Sequence, residues 1–264
     1  MPDRMQQAVW KHFDGQSWGI RYRANDAARV DTLARLRVLH YTTLAYAHRP
    51  AMAQWLNDFS LAFAASNEAA VPTFTMYPEA ETASYVSDAL ARGGRVAKIH
   101  LQVSKFDPLD PRLTDAWDQL VTARTVVVIH AGAVADGSGG EEWCGMGPVR
   151  RLLERHPGLC LVLAHLGAPD YGDAVRLAAD FPQLRMDTAM TLVAGSGFRV
   201  PDILMEWLAA SPERVLFGSD FPTIPHDYAA QVRGVGQCGF GPDWMRRVLW
   251  TNGNQLLFPP GDAV

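Results

Sequence analysis

The feature that most constrains this chain is a repeat. From position 37 onward, short β-branched or apolar runs alternate with amphipathic segments, roughly every 25–35 residues. The runs are RVLHYTTLAY (37–46), AVPTFTMYP (70–78), RVAKIHLQV (95–103), TVVVIHAG (125–132), LCLVLAHLG (159–167), LRMDTAM (184–190) and RVLFGSDFP (214–222). Several are unbroken hydrophobic stretches, as expected of parallel strands buried on both faces. Between them lie helical segments such as 79–94, 111–123, 149–158 and 201–211, with Gly93 and Gly158 placed to close helices and Pro201 to start one. Strand then helix, repeated, predicts an α/β fold of the (β/α)8 TIM-barrel type. One barrel domain over residues 1–264 matches the ~250 residues such folds use. A closed barrel takes eight strands, and seven runs are recognisable. The segments 4–14 and 25–36, ahead of the first run, read as helical, so the expected barrel is incomplete and lacks its first strand.

Bulk properties exclude several partners. A net charge of −4 and a pI near 6.0 give no electrostatic footprint for nucleic acid or an anionic membrane. No apolar run reaches the ~18 residues of a membrane span, and MPDRMQQAVW lacks a signal-peptide core, so the cytoplasm is the expected compartment. Cys144, Cys160 and Cys238 form no CxxC pair, which argues against a disulfide framework. Cys160 reads as a core residue and Cys144 as a loop thiol without a nearby base.

Polar residues recur at equivalent places. Three apolar runs end in one ionisable residue followed by small or turn-forming ones, giving His130, His165 and Asp220. Lys98 and His100, two apart in VAKIHL, share one strand face. In parallel barrels the carboxyl ends of strands converge on one mouth, and two imidazoles with a carboxylate are donors that zinc prefers. Each residue alone has a structural alternative: a hydrogen-bonded histidine, a turn-capping Asp220, an interior ion pair for Lys98. Their joint recurrence favours a metal or acid–base site. Asp187 on the RMDTAM run either lines the mouth or pairs with a neighbour, and His226 could reach the mouth from the last loop. Trp143, in the Gly-rich stretch 132–147, is the tryptophan best placed to touch substrate. His156 reads as a helix-end residue, and His12, His40 and His48 carry no functional signal.

The ordered set KIH (98–100), HAG (130–132), AHLG (164–167), GSDFP (218–222) and TNGNQLLF (251–258) resembles the amidohydrolase superfamily. The branch it resembles is typified by aminocarboxymuconate-semialdehyde decarboxylase. The resemblance implies His130 as a metal ligand, His165 as a ligand or an orienting group, and Asp220 as ligand and proton shuttle. It implies a divalent ion, zinc foremost, and a small-molecule substrate hydrolysed by metal-activated water. Non-oxidative decarboxylation of an aromatic or cyclic acid on the same site is the alternative. Lys98, His100, Trp143, Asp187 and His226 are expected around the substrate.

One departure counts against full activity. The family opens with a strand ending in a His-x-His pair of ligands, and these 264 residues contain no such pair. The expectation is a start placed downstream of the true one, or a degenerate barrel with a binding role. Either way the chain as written should hold zinc weakly, if at all, have little activity, and be either aggregation-prone or rescued by another segment that fills the gap between strand edges. Acid–base catalysis without metal is a third possibility. Trp- and Met-rich helices such as WMRRVLW (244–250), together with the family habit, suggest a homodimer.

Overall fold

The computed structural model describes residues 3–15, 18–134 and 139–259; residues 135–138 of the Gly-rich stretch lie outside that range. Helices α1 (Asp3–Asp14) and α2 (Asp26–Arg35) come first, and Asn25 caps the second by accepting a hydrogen bond from the Ala28 amide. Then β1 (Tyr41–Thr42) leads through α3 (Ala53–Ala65) to β2 (Ala70–Val71) and β3 (Thr73–Thr75). These last two are halves of one predicted run, parted at Pro72, which has no N–H for the ladder. The Pro72 carbonyl still accepts from the Arg95 amide at 2.9 Å, so the run stays registered on its neighbour.

The alternation continues with α4 (Thr82–Ala91), β4 (Val96–His100), α5 (Leu101–Ser104), α6 (Thr114–Thr122), β5 (Val126–His130) and α7 (Met146–Arg155). It goes on through β6 (Cys160–Leu163), α8 (Tyr171–Asp180), β7 (Arg185–Asp187), α9 (Asp202–Ala210) and β8 (Val215–Leu216). Helices α10 (Tyr228–Gln237), α11 (Pro242–Arg246) and α12 (Asn252–Leu257) complete it, a π-helical stretch at Arg247–Thr251 linking the last two. Every strand pair is parallel, with β1 on β2 and then β3 to β8 in sequence order. This is the predicted α/β fold with a parallel sheet. Among the described residues β1 and β8 do not pair, so no closed barrel is formed.

Alternation along each strand divides the apolar residues. One set, including Phe74, Ala97, Ile99, Val127, Ile129, Leu161, Leu163 and Met186, packs under the helices. Helix α7 meets it with Val149, Leu152 and Leu153, the i, i+3, i+4 stripe of an amphipathic helix. The other set is a smaller interior cluster of Val71, Val96, Val126, Val128, Val162, Ala164 and Leu216, against which Leu256, Leu257 and Phe258 pack.

The outer edge of β8 is not left bare. Asn252 donates to the Val215 and Pro212 carbonyls, both at 2.7 Å, and the Phe217 amide donates to Val248 at 3.0 Å. Groups of residues 248–252 thus bond where another strand would. At β1 and just after it, the Tyr41 and Thr43 hydroxyls are buried without partners among the described residues. The run 244–250 is only half a surface: Trp244 is 5% exposed and bonded to the Leu208 carbonyl, whereas Trp250 is 44% exposed.

Candidate functional site

Register alone brings the first side chains together. His100 pairs with His130 across β4 and β5, so both rings leave the sheet on the same side. They stack at 3.9 Å between centroids and 12° between planes. Tyr46, just beyond β1, lies 4.8 Å from the His100 ring, and His165 meets the other flank of His130 at 5.0 Å, edge-on. Lys98 lies one step down β4, aligned with Thr75 and Val128.

Local turns fix each ring. The predicted strand 95–103 stops at His100, whose Nδ1 accepts from the Val103 amide at 3.4 Å and starts α5. His130 Nε2 donates to the Gly132 carbonyl at 3.0 Å, leaving Nδ1 with its lone pair. His165 lies just past β6 in the left-handed region, at φ 56°, where the chain turns sharply. Its Nδ1 donates to the Ala189 carbonyl at 3.1 Å, leaving Nε2 free as an acceptor. Asp187 secures that turn: one carboxylate oxygen accepts from the His165 amide at 3.1 Å and the Ala189 amide at 2.9 Å.

Burial sets the electrostatics. It pushes His100 and His130 well below the usual 6.5, with Lys98 adding to the effect on His100 and its two histidine neighbours adding to that on His130. Both imidazoles are therefore neutral at neutral pH. Burial also lowers Lys98, while Asp187 and then Asp220 act in the opposite direction. Asp220 itself is exposed on the loop after β8, in the left-handed region at φ 55°. The Cys144 thiol is raised to about 11, chiefly by burial, which suits its assignment as a non-nucleophile.

This sets a pH dependence for stability. The unfolded histidines titrate near 6.5, and the folded His100, His130, His48 and His156 all bind protons less readily. As pH falls below 6.5 the unfolded chain takes up protons that the folded chain refuses, so stability is lost toward acid and level above. The urea midpoint should drop between about pH 7.5 and pH 5.5, the window in which histidine titrates. An unchanged midpoint would show that these rings are not neutral in the fold.

The arrangement unites Lys98, His100, His130, His165 and Asp187, and places Asp220 near enough to act on Lys98. Among the described residues no ring contact joins Trp143 or His226 to the cluster. Trp143 is half-buried on the Glu141–Trp143 turn, and His226 has its Nδ1 3.2 Å from the Asp227 carbonyl and its Nε2 buried without a partner among those residues. Two residues had escaped the sequence analysis. Tyr46 ends the run 37–46 as the histidines end theirs, but a search for ionisable strand ends passes over it. Gln102 grips both backbone groups of Val134, at 2.6 and 2.9 Å, and anchors the start of the Gly-rich loop.

A zinc centre needs at least three protein donors aimed at one point. Among the described residues no three His, Cys, Asp or Glu side chains meet that condition. The stack explains why His100 does not help: nearly parallel rings keep their in-plane lone pairs in separate, nearly parallel planes, so those of His100 and His130 do not meet at one point. His130 and His165, 68° apart, remain a pair without a third donor.

No helix among the described residues is long and apolar enough to cross a membrane. No curated protein matches the chain in sequence. Several solved structures share its fold. An uncharacterised TIM-barrel protein from Bordetella bronchiseptica is 18% identical with a TM-score of 0.71, over 88% of this chain and 82% of that one. A probable 2-pyrone-4,6-dicarboxylic acid hydrolase from Acinetobacter baumannii, with citric acid bound, is 14% identical with a TM-score of 0.64, over 90% and 91%. A 5-carboxyvanillate decarboxylase from Novosphingobium aromaticivorans, holding manganese and a nitrobenzoic acid, is 11% identical with a TM-score of 0.62, over 97% and 93%. The family model described as amidohydrolase matches residues 8–258, and the chain belongs to that family.

Proposed function

We propose that this chain is a hydrolase that cleaves a C–N or C–O bond in a small organic substrate. The observation that carries the proposal is the pair of lone pairs at one mouth, His130 Nδ1 and His165 Nε2, on neighbouring rings whose other nitrogens are tied to backbone carbonyls. Two fixed acceptors can hold and orient a water molecule against a bound carbonyl group. As the water attacks, one of its two hydrogen bonds to the imidazoles is exchanged for one to Asp220, which accepts that proton and returns it to the leaving group. His100, with Nδ1 accepting from backbone, keeps Nε2–H as a donor for the substrate's developing negative charge. Tyr46 flanks that donor as an aromatic wall.

The zinc expected from the family resemblance is not matched by the donor set among the described residues. His130 and His165 are the residues that would touch an ion, and two ligands hold one weakly. The test is hydrolysis of a panel of lactones, cyclic amides and aryl esters, followed by proton release, on protein dialysed against chelator. Turnover with less than one zinc per ten chains, an order-of-magnitude threshold of about 0.1, agrees with the proposal. Stoichiometric zinc after dialysis would mean that its ligands lie elsewhere. A homodimer through the exposed Trp250 and Leu39 remains part of the proposal, as does a cytoplasmic location.

A further inference from the structure

Gln231 is a buried polar side chain that the hydrolytic scheme leaves unused. It lies on α10, 2% exposed, on the face that also buries Tyr228, Gly234 and Val235. That face is pressed against the loop after β7: a Cβ on Gly234 would come 2.1 Å from the Leu192 carbonyl oxygen. The Gln231 amide is thereby held between two loops of the mouth. Its Oε1 accepts from the Met190 amide at 2.8 Å, and its Nε2 donates to the Ser219 carbonyl. These partners fix which way the amide points, since a backbone N–H only donates and a carbonyl only accepts.

Both partners adjoin the site. The Met190 N–H belongs to the same peptide group as the Ala189 carbonyl, which accepts from His165 Nδ1 at 3.1 Å. The Ser219 carbonyl belongs to the peptide group that enters Asp220. One series of hydrogen bonds therefore runs from the Asp220 peptide, through the Gln231 amide and the Ala189–Met190 peptide, to the His165 ring. A peptide group whose N–H is engaged carries more negative charge on its oxygen, so Gln231 Oε1 makes the Ala189 carbonyl a better acceptor. That favours the His165 tautomer with the proton on Nδ1 and the lone pair on Nε2. Met190 itself stands in the left-handed region at φ 63°, a conformation that persists where its surroundings hold it.

We propose that Gln231 is a positioning residue that fixes His165 in its Nδ1–H tautomer and ties the His165 and Asp220 turns into one unit. In the hydrolytic reading, on which this proposal depends for its purpose, His165 Nε2 and Asp220 act on the same water.

The test is a long-range proton–nitrogen NMR spectrum of the intact chain carrying isotope-labelled histidine, at about pH 8, above the ordinary histidine range. The His165 signals are those that vanish in His165→Gln. In the wild type Nδ1 should carry the proton and Nε2 none. In Gln231→Met, close in length but without the amide, the two nitrogen signals should move toward each other as the tautomers mix. In Gln231→Glu, which keeps an oxygen for the Met190 amide, they should stay at their wild-type positions. A merely structural Gln231 would change stability and leave the tautomer alone. An unmoved pair of signals in folded Gln231→Met therefore overturns the proposal, as does an averaged or Nε2–H ring in the wild type. If circular dichroism shows Gln231→Met to be unfolded, Gln231→Glu decides: a folded chain with wild-type signals supports the proposal, and any other result overturns it. The spectrum needs no substrate, so its outcome is separate from that of the hydrolysis panel. Where turnover is found, Gln231→Met should lower kcat about 10–100-fold with KM little altered, and an unchanged kcat overturns the proposal as well.

Discussion

Asp220→Asn is expected to lower kcat by about 10²–10⁴-fold and to leave the fold unchanged. The substitution removes a proton acceptor and the charge that acts on Lys98, and no hydrogen bond that holds the turn. Asp220 is exposed, so no buried contact is lost, and it sits at φ 55°, a left-handed conformation that asparagine adopts as readily as aspartate. The turn is held by neighbours: the Thr223 amide donates to the Asp220 carbonyl at 3.1 Å, and the Phe221 amide donates to the Ser219 hydroxyl. Neither bond involves the Asp220 carboxylate. An amide cannot accept the water's proton, so the loss should fall on kcat with KM little altered. His165→Gln, which keeps an acceptor near the same place, should be the milder variant. Urea midpoints within error of each other, together with the fall in kcat, complete the test. Wild-type turnover in Asp220→Asn would remove the residue from the mechanism.

How much of this could be read from sequence varies with the kind of information. The strand cores were legible because a strand buried on both faces has almost no choice but apolar residues, as in VVVIH and CLVL. The pairing of His100 with His130 was half legible: each ends a run, but only the register makes them a stack. The turn at His165 was not legible, because AHLG contains no residue before its glycine that demands a left-handed conformation. Its geometry comes from Asp187, 22 residues away, binding the turn amide. The same holds for the edge of β8. Nothing local marks Asn252 as the donor to Pro212 and Val215, since that bond exists only after the chain has folded back some 40 residues. The α3 segment escaped notice for another reason: AQWLNDFSLAFAA is apolar on most sides and flanked by no capping residue, so its periodicity is faint.

Gly132→Ala should be the most damaging small change in the chain. A Cβ at this position would sit 1.7 Å from the Ala168 carbonyl oxygen and 2.7 Å from its carbon, both backbone atoms. No rotamer change relieves that overlap; the segment after β5 and the turn after β6 have to move apart. Overpacking ordinarily costs about 1–3 kcal/mol and occasionally more, and a clash of backbone with backbone belongs at the upper end, near 3 kcal/mol. The same two segments carry the site. His130 Nε2 is held by the Gly132 carbonyl, and Ala168 follows three residues after His165, whose carbonyl its own amide engages at 2.9 Å. Separating them widens the gap between His130 and His165, so turnover should fall along with stability. Gly147→Ala supplies the opposite sign. Gly147 lies in the first turn of α7, where an added Cβ would have only the Arg151 guanidinium at 3.9 Å. There the methyl group restricts the unfolded chain more than the folded one and should stabilise by about 0.5–1 kcal/mol. A urea series on the two variants separates the cases. If Gly132→Ala unfolded at the wild-type midpoint with full turnover, the close approach of the two site-bearing segments would not exist in solution.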